Sequence, residues 1–292
     1  MTKDSDLQVL PSRRPIRECV GLIVNGTNSA AAIKTSIVRL GTSIVPTYPW
    51  HPVVLAQQVL ALQDIAPDRL RLGIGPSHRA IVENIYGLPQ TTPLVHLREY
   101  VKVLHSILRD GKVDHHGEFF NIVIEFPRTA QIPVLISTLG KKAFQLAGEI
   151  ADGALSWMCP VPYLLHTGIP LLRKAATANG RSKPPPLVAH VPVALSQDRD
   201  SVMVAGHKMF DMYSKFPFYV KMFADAGVPL TSDKKVTDDL VNNMIISGNK
   251  DTVATSLSKL LAAGLDELMV SLVPVVDEKY EQTQLMRLIG QL

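Results

Sequence analysis

From residue 34 onward, short β-branched runs alternate with longer amphipathic ones, and this alternation points to a parallel sheet covered by helices. Parallel neighbours cannot be joined by a tight turn, so each strand must be followed by a crossover, which a helix supplies. The strand-type runs are SIVRLGTSIV (36–45), RLRLGIG (69–75), PVLIS (133–137), GALSWM (153–158), LVAHVPVAL (187–195) and the end of the turn, helix and strand unit 246–274. Between them, HPVVLAQQVLALQDIAP (51–67) puts Leu55, Val59, Leu62 and Ile65 on one helical stripe. The segment 92–112 does the same with Leu94, Leu97, Val101, Leu104 and Leu108, and Gly111 stands as a stop just beyond. Further helices are expected over 141–151, 162–180 and 278–292. The strand-helix unit recurs about seven times, which favours a (β/α)8 barrel over an open sheet.

Composition narrows the partners. The chain has 292 residues, 46% hydrophobic and 19% charged, which is the balance of a chain with a substantial core. Its net charge of +4 is spread without a basic run, so neither nucleic acid nor a membrane surface is an expected partner. Residues 1–18 read as a polar tail without the apolar core of a signal peptide, and no window has the length of a membrane span. Residues 19–292 read as one barrel domain with a helical insertion at about 199–246. Cys19 and Cys159 lie far apart without metal-ligand spacing, which fits a reducing cytoplasm.

Three motifs carry candidate chemistry. RLRLGIGPSHRAIVENIYG (69–87) runs from a strand through Gly73 and Gly75 to Ser77, His78 and Arg79 at a helix start. By itself it is compatible with a phosphate cradle, a catalytic corner or a tight turn. His78 has an ordinary pKa suited to proton transfer near neutrality, although a lone histidine is more often a surface or capping residue. STLGKKAFQLAGE (137–149) ends a strand at Gly140 and starts a helix at Lys141 and Lys142, where free N–H groups and the positive helix end favour an anion. In VDHHGEFF (113–120), adjacent His115 and His116 point to opposite sides of an extended chain, which argues against their sharing a metal with Glu118.

Taken in order over residues 34–273, the runs LGTSIVPTYPWHPVVLAQQ, RLRLGIGPSHR, PLVHLREYVKVL, PVLISTLGKKAFQLAGEIADGALSWM and NKDTVATSLSKLLAAGLDELMVS resemble the luciferase-like monooxygenase superfamily. The resemblance is nearest to its oxidoreductases that use the deazaflavin coenzyme F420. It implies a TIM (β/α)8-type barrel of the bacterial luciferase-like kind, with the cofactor at the C-terminal ends of the strands. It further implies a non-proline cis peptide at Ser43-Ile44 backing the cofactor ring, and Gly73 and Gly75 lacking side chains so that backbone approaches the ring. Cofactor contacts then fall at Ser43, Ile44, Gly75 and Ser77, with the phosphate at Thr138, Leu139, Gly140 and Lys141. His78 takes the catalytic acid–base role. Arg79 and Trp157 border the substrate, with Ser156 and Met158 beside them; Arg79 equally suits the cofactor's acidic tail or a solvated helix position.

The resemblance breaks near the N-terminus. CVGLIVNGTNSAAAI (19–33) reads as a first strand and the opening of its helix, and the chain then passes directly to what reads as a third strand. Relatives place about fifty more residues there, at the usual length of a βα unit. The barrel is therefore expected to be incomplete or open near the N-terminus. The expected activity is hydride transfer between F420 and a small organic substrate, in a homodimer. The alternatives are an FMN-dependent monooxygenase, or a catalytically impaired member acting as a binding or structural protein.

Overall fold

A computed structural model describes residues 16–18 and 27–292. Strand β1 (Ile16–Glu18) and helix α1 (Thr27–Lys34) lead to an interrupted strand, β2 (Leu40–Gly41) and β3 (Val45–Pro46). Then come α2 (Pro52–Ile65), β4 (Leu70–Gly75), the short α3 (Arg79–Asn84) and α4 (Pro93–His105), which continues as a π-helical turn over Ser106–Asp110. An antiparallel hairpin, β5 (Lys112–His116) and β6 (Asn121–Glu125), precedes β7 (Val134–Thr138), α5 (Lys141–Ile150) and β8 (Gly153–Ser156). Helix α6 (Val161–Tyr163) passes through a π-helical turn into α7 (Ile169–Ala178) and then β9 (Leu187–Ala194). Three helices follow, α8 (Arg199–Tyr213), α9 (Pro217–Asp225) and α10 (Asp238–Met244). The chain closes with β10 (Ile246–Ser247), α11 (Lys250–Ala262), β11 (Glu267–Leu272) and α12 (Glu278–Gln291).

The main sheet runs β1-β11-β9-β8-β7-β4-β2, with β3 also beside β4 and β10 beside β9, and every pair is parallel. Both faces of its central strands are covered, since every residue of β8 and β9 is buried. A salt bridge shows that the sheet curls. Arg71 of β4 donates to both carboxylate oxygens of Glu267 on β11, at 2.9 and 2.7 Å. These strands are four places apart in the order. With neighbours spaced about 4.8 Å apart, a flat sheet would separate them by roughly 19 Å, beyond the reach of the two side chains. The sheet therefore rolls until its interior faces meet.

The roll does not close. The strand path ends at β1 on one side and at β2 on the other, and no pairing joins them among the described residues. This is the open barrel that the N-terminal break implies. Part of the presumed polar tail takes part in it, because Ile16–Glu18 pairs with Leu268–Val270 of β11. The strand read in CVGLIV lies outside the described residues; α1 begins at Thr27.

Helix α4 follows its sequence pattern closely. Leu97, Val101, Leu104 and Leu108 are fully buried, and Gly111 adopts φ +71° just past the π-helical turn. In α2 the stripe holds for Leu55, Val59 and Leu62, but Ile65 at the final turn is 45% exposed. The run 36–45 is not one regular strand: β2 and β3 are separated by Thr42–Ile44, where the Ser43-Ile44 peptide is cis. The GALSWM strand is shorter than expected and stops at Ser156, with Met158 at φ +52°.

Candidate active site

Period two divides the strand residues between two packed clusters. Ile74, Val134, Ile136, Ala154, Ala189 and Val270 pack with the helices, whereas Leu135, Leu155, Val188 and Met269 form a separate cluster with Ile44 and Trp157. The second cluster contains no helix residue and is the interior of the roll. Continuing each strand by two residues toward its C-terminal end brings Gly75, Ser137, Trp157, His190 and Ser271 to the mouth.

The interior glycines make room for the protein's own atoms. A Cβ at Gly73 would overlap the Thr42 carbonyl oxygen and Leu155 Cδ1, and one at Gly75 would overlap Ser137 Oγ and Ile44 Cδ1. Thr42 fixes this close approach, since its hydroxyl donates to the Gly73 carbonyl at 2.8 Å and accepts from the Gly73 N–H at 2.9 Å. Both glycines thus let neighbouring chain atoms approach β4 closely, Thr42 and Leu155 at Gly73, and Ile44 and Ser137 at Gly75. Gly73→Ala is expected to destabilise the protein by about 3 kcal/mol, the upper range for overpacking, because the obstacle is backbone. Chemical denaturation checks this.

His78 lies beyond β4, where Ser77 takes φ +60°, and is the N-cap of α3 without a side-chain cap bond. Its ring stacks on Phe216 at 4.3 Å and 20° and tilts against Tyr219 at 5.4 Å. Nδ1 is buried and has no hydrogen-bond partner among the described residues. Burial holds the pKa of His78 below its usual value, so the ring is neutral at pH 7. Phe216 and Tyr219, at the start of α9, thus cover the mouth at His78.

Arg79 donates to the Gln90 carbonyl at 3.2 Å and pairs with Glu83 at 3.7 Å, with its side chain 67% exposed. It also lies near Tyr48, whose pKa burial raises and the Arg79 charge partly lowers. Tyr48 stacks on His96 at 4.1 Å, and burial pushes His96 down to about 4 against the opposing charge of Glu99.

At the end of β7, Thr138 is buried and its hydroxyl donates to the Leu155 carbonyl at 3.2 Å. Its neighbour Ser137 is the one directed inward, against Gly75. Leu139 is half-buried, and its carbonyl accepts from the Tyr163 hydroxyl at 3.3 Å. Gly140 is the N-cap of α5, and no atom lies within 4 Å of where its Cβ would stand. Lys141 and Lys142 are exposed there. The Ala143 N–H turns back to the Gly140 carbonyl at 2.9 Å, and the N–H groups of Lys141 and Lys142 precede any helical acceptor, which makes this an anion-favouring helix start.

Trp157 joins the barrel to its cover. Its ring stacks on His190 at 3.8 Å, and its Nε1–H donates to the Tyr213 hydroxyl at 2.8 Å. His190 is 1% exposed, and burial pushes its pKa down to about 3. With Nδ1 accepting from the Met158 N–H at 3.4 Å, its Nε2–H donates to Ser271 Oγ at 2.8 Å. Ser156 points away from the mouth, with its hydroxyl between the Val188 carbonyl and the His190 N–H.

The mouth therefore brings together Ile44, Gly75, His78 and Trp157, with Ser137, His190, Tyr213, Phe216 and Tyr219 as members that sequence reasoning missed. One sequence signal was available for His190: it is the sole polar side chain within LVAHVPVAL. His115 and His116 turn to different partners, Glu99 at 2.8 Å and Asp114 at 3.0 Å.

Curled parallel strands with a polar and aromatic mouth at their C-terminal ends define a barrel of the kind that places its chemistry there. The chain belongs to the luciferase-like monooxygenase family, whose profile matches residues 27–267. It is 24% identical over 301 residues to the 5,10-methylenetetrahydromethanopterin reductase of Methanopyrus kandleri, covering 91% of this chain and 84% of that protein. It is 26% identical over 253 residues to the F420-dependent glucose-6-phosphate dehydrogenase of Kineococcus radiotolerans, covering 82% of this chain and 73% of the other. Its fold is similar to that of a solved F420-dependent secondary alcohol dehydrogenase in complex with an F420-acetone adduct, with a TM-score of 0.73 and 18% identity over 90% of this chain and 80% of that one. No described helix is long and apolar enough to cross a membrane.

Proposed function

We propose that this chain is an oxidoreductase that moves a hydride between bound F420 and a small organic substrate. The observation that carries the reading is His78 at the strand ends, stacked under an aromatic cover with a buried Nδ1 that has no partner among the described residues. Two further features fit the cofactor. The interior wall of Ile44, Gly75 and Ser137 is compact and largely apolar, and the open α5 start at Gly140 suits a phosphate. The relatives named for F420 support the same choice.

F420, when bound, supplies two-electron hydride chemistry. The protein's part is placement and proton handling. Ser43, Ile44, Gly75 and Ser77 would bound the ring, and Thr138, Leu139, Gly140 and Lys141 would form the phosphate loop, with the open N–H groups at Gly140 and Lys141 as its donors. His78 holds or releases the substrate hydroxyl proton, and its depressed pKa keeps it ready as a base at neutral pH. Trp157 and the aromatic cover exclude water, and Arg79 stands at the exposed rim toward an acidic group. The reading includes a single barrel domain that takes in Ile16–Glu18 as its β1 strand, a homodimer and a reducing cytoplasm, in keeping with the free thiol of Cys159.

Fluorescence-quenching titrations with F420 and with FMN test the cofactor. Tighter binding of F420 is expected. Tighter binding of FMN would overturn the deazaflavin assignment, and failure to bind either would overturn the enzymatic one.

A further inference from the structure

A cavity of about 140 Å³ lies between the β8–α6 connection, β9, the α10–β10 segment and α11. Val161, Met244, Ile245 and Leu260 supply apolar walls, His190 and Cys159 border it, and the exposed Asn242 and Asn243 stand at its rim. Among the described residues, no charged side chain lines it. Its size is close to that of an engineered apolar cavity of about 150 Å³ that admits benzene.

The bordering polar groups are already satisfied within the protein. The Cys159 thiol donates to the Trp157 carbonyl at 3.7 Å, and burial pushes its pKa up so that it stays neutral. His190 uses both ring nitrogens, on the Met158 N–H and on Ser271. With the Cys159 thiol and the His190 ring already engaged, the inner end favours an uncharged apolar body. Polar substituents would be directed toward the rim amides.

We propose that this cavity is a binding site for a small uncharged molecule with an apolar body of about benzene's size, and that its occupancy is felt at Trp157. The link is short: Cys159 bonds the Trp157 carbonyl, and the His190 ring stacks on the indole. The site is separate from the proposed F420 contacts, and its occupancy does not require them.

Toluene is the probe. The chain has two tryptophans, so Trp50→Phe leaves Trp157 as the sole emitter. A saturable change in Trp157 emission and a rise in melting temperature with toluene are expected. Val161→Phe and Leu260→Phe narrow the cavity from half-buried positions, and affinity should fall at least tenfold in either variant that retains a cooperative melt. Independently, crystals of the unaltered protein under xenon should show the gas in this cavity. An unsaturable response together with a xenon-free cavity, or unchanged toluene affinity in a folded filled variant, would overturn the proposal.

Discussion

His78→Ala is expected to lower F420-dependent turnover roughly 100-fold, the lower end of what a positioned acid–base group contributes, with cofactor affinity little changed. The pH profile separates proton transfer from a packing role. Burial depresses the His78 pKa below its usual value of 6.5, so the neutral base predominates at pH 7. In the oxidising direction, kcat/KM should hold across neutral pH and fall as pH drops through that depressed pKa. The acid limb should vanish in His78→Ala. A variant that retains the limb, or that loses cofactor binding along with turnover, would instead mark His78 as packing under Phe216 and Tyr219.

The second large effect is on stability. His96 and His190 are buried neutral, with pKa values pushed from 6.5 to about 4 and about 3. In the unfolded chain they take up protons below pH 6.5, whereas in the fold they do so only near pH 4 and pH 3. Their contribution is therefore complete above pH 6.5 and is lost as pH falls through that window. Each unit of depression is equivalent to about 1.4 kcal/mol, so together they remove on the order of 6 kcal/mol by pH 4. Urea denaturation between pH 7 and pH 4 measures the slope, and His190→Asn should flatten it by about half.

The two histidines also mark where the sequence ceases to be informative. Helix α4 was legible because its leucines and valines repeat at helical spacing and face one wall. The crossover architecture was legible because parallel strands need helices between them. The cis Ser43-Ile44 bond followed from the resemblance around GTSIV, with no local signal of its own. Which residue of an adjacent pair faces the mouth was not legible. Ser137 rather than Thr138 points inward, because a one-residue change of register exchanges the faces of a strand, and register is set by neighbours distant in sequence.

Gly73 shows the same limit, since its reason is the Thr42 backbone thirty-one residues away. The aromatic cover was hidden for a related cause. Phe216 and Tyr219 reach His78 only after the α8 and α9 insertion folds back over the barrel, and Trp157 and Tyr213 bond across that junction. The break in the barrel was visible as a missing unit, whereas the pairing of Ile16–Glu18 with β11 was not, since it rests on three residues in a polar context.

In the proposed function, the mouth holds F420 against Ser43 and Ile44, between β2 and β3, with His78 at the reacting end. A crystal structure of the protein grown with F420 tests it most directly. The deazaflavin ring is expected against Ile44 and Gly75 within reach of His78, with its phosphate on the N–H groups that follow Gly140. Cofactor density elsewhere on the protein, or a ring turned away from His78, would contradict it.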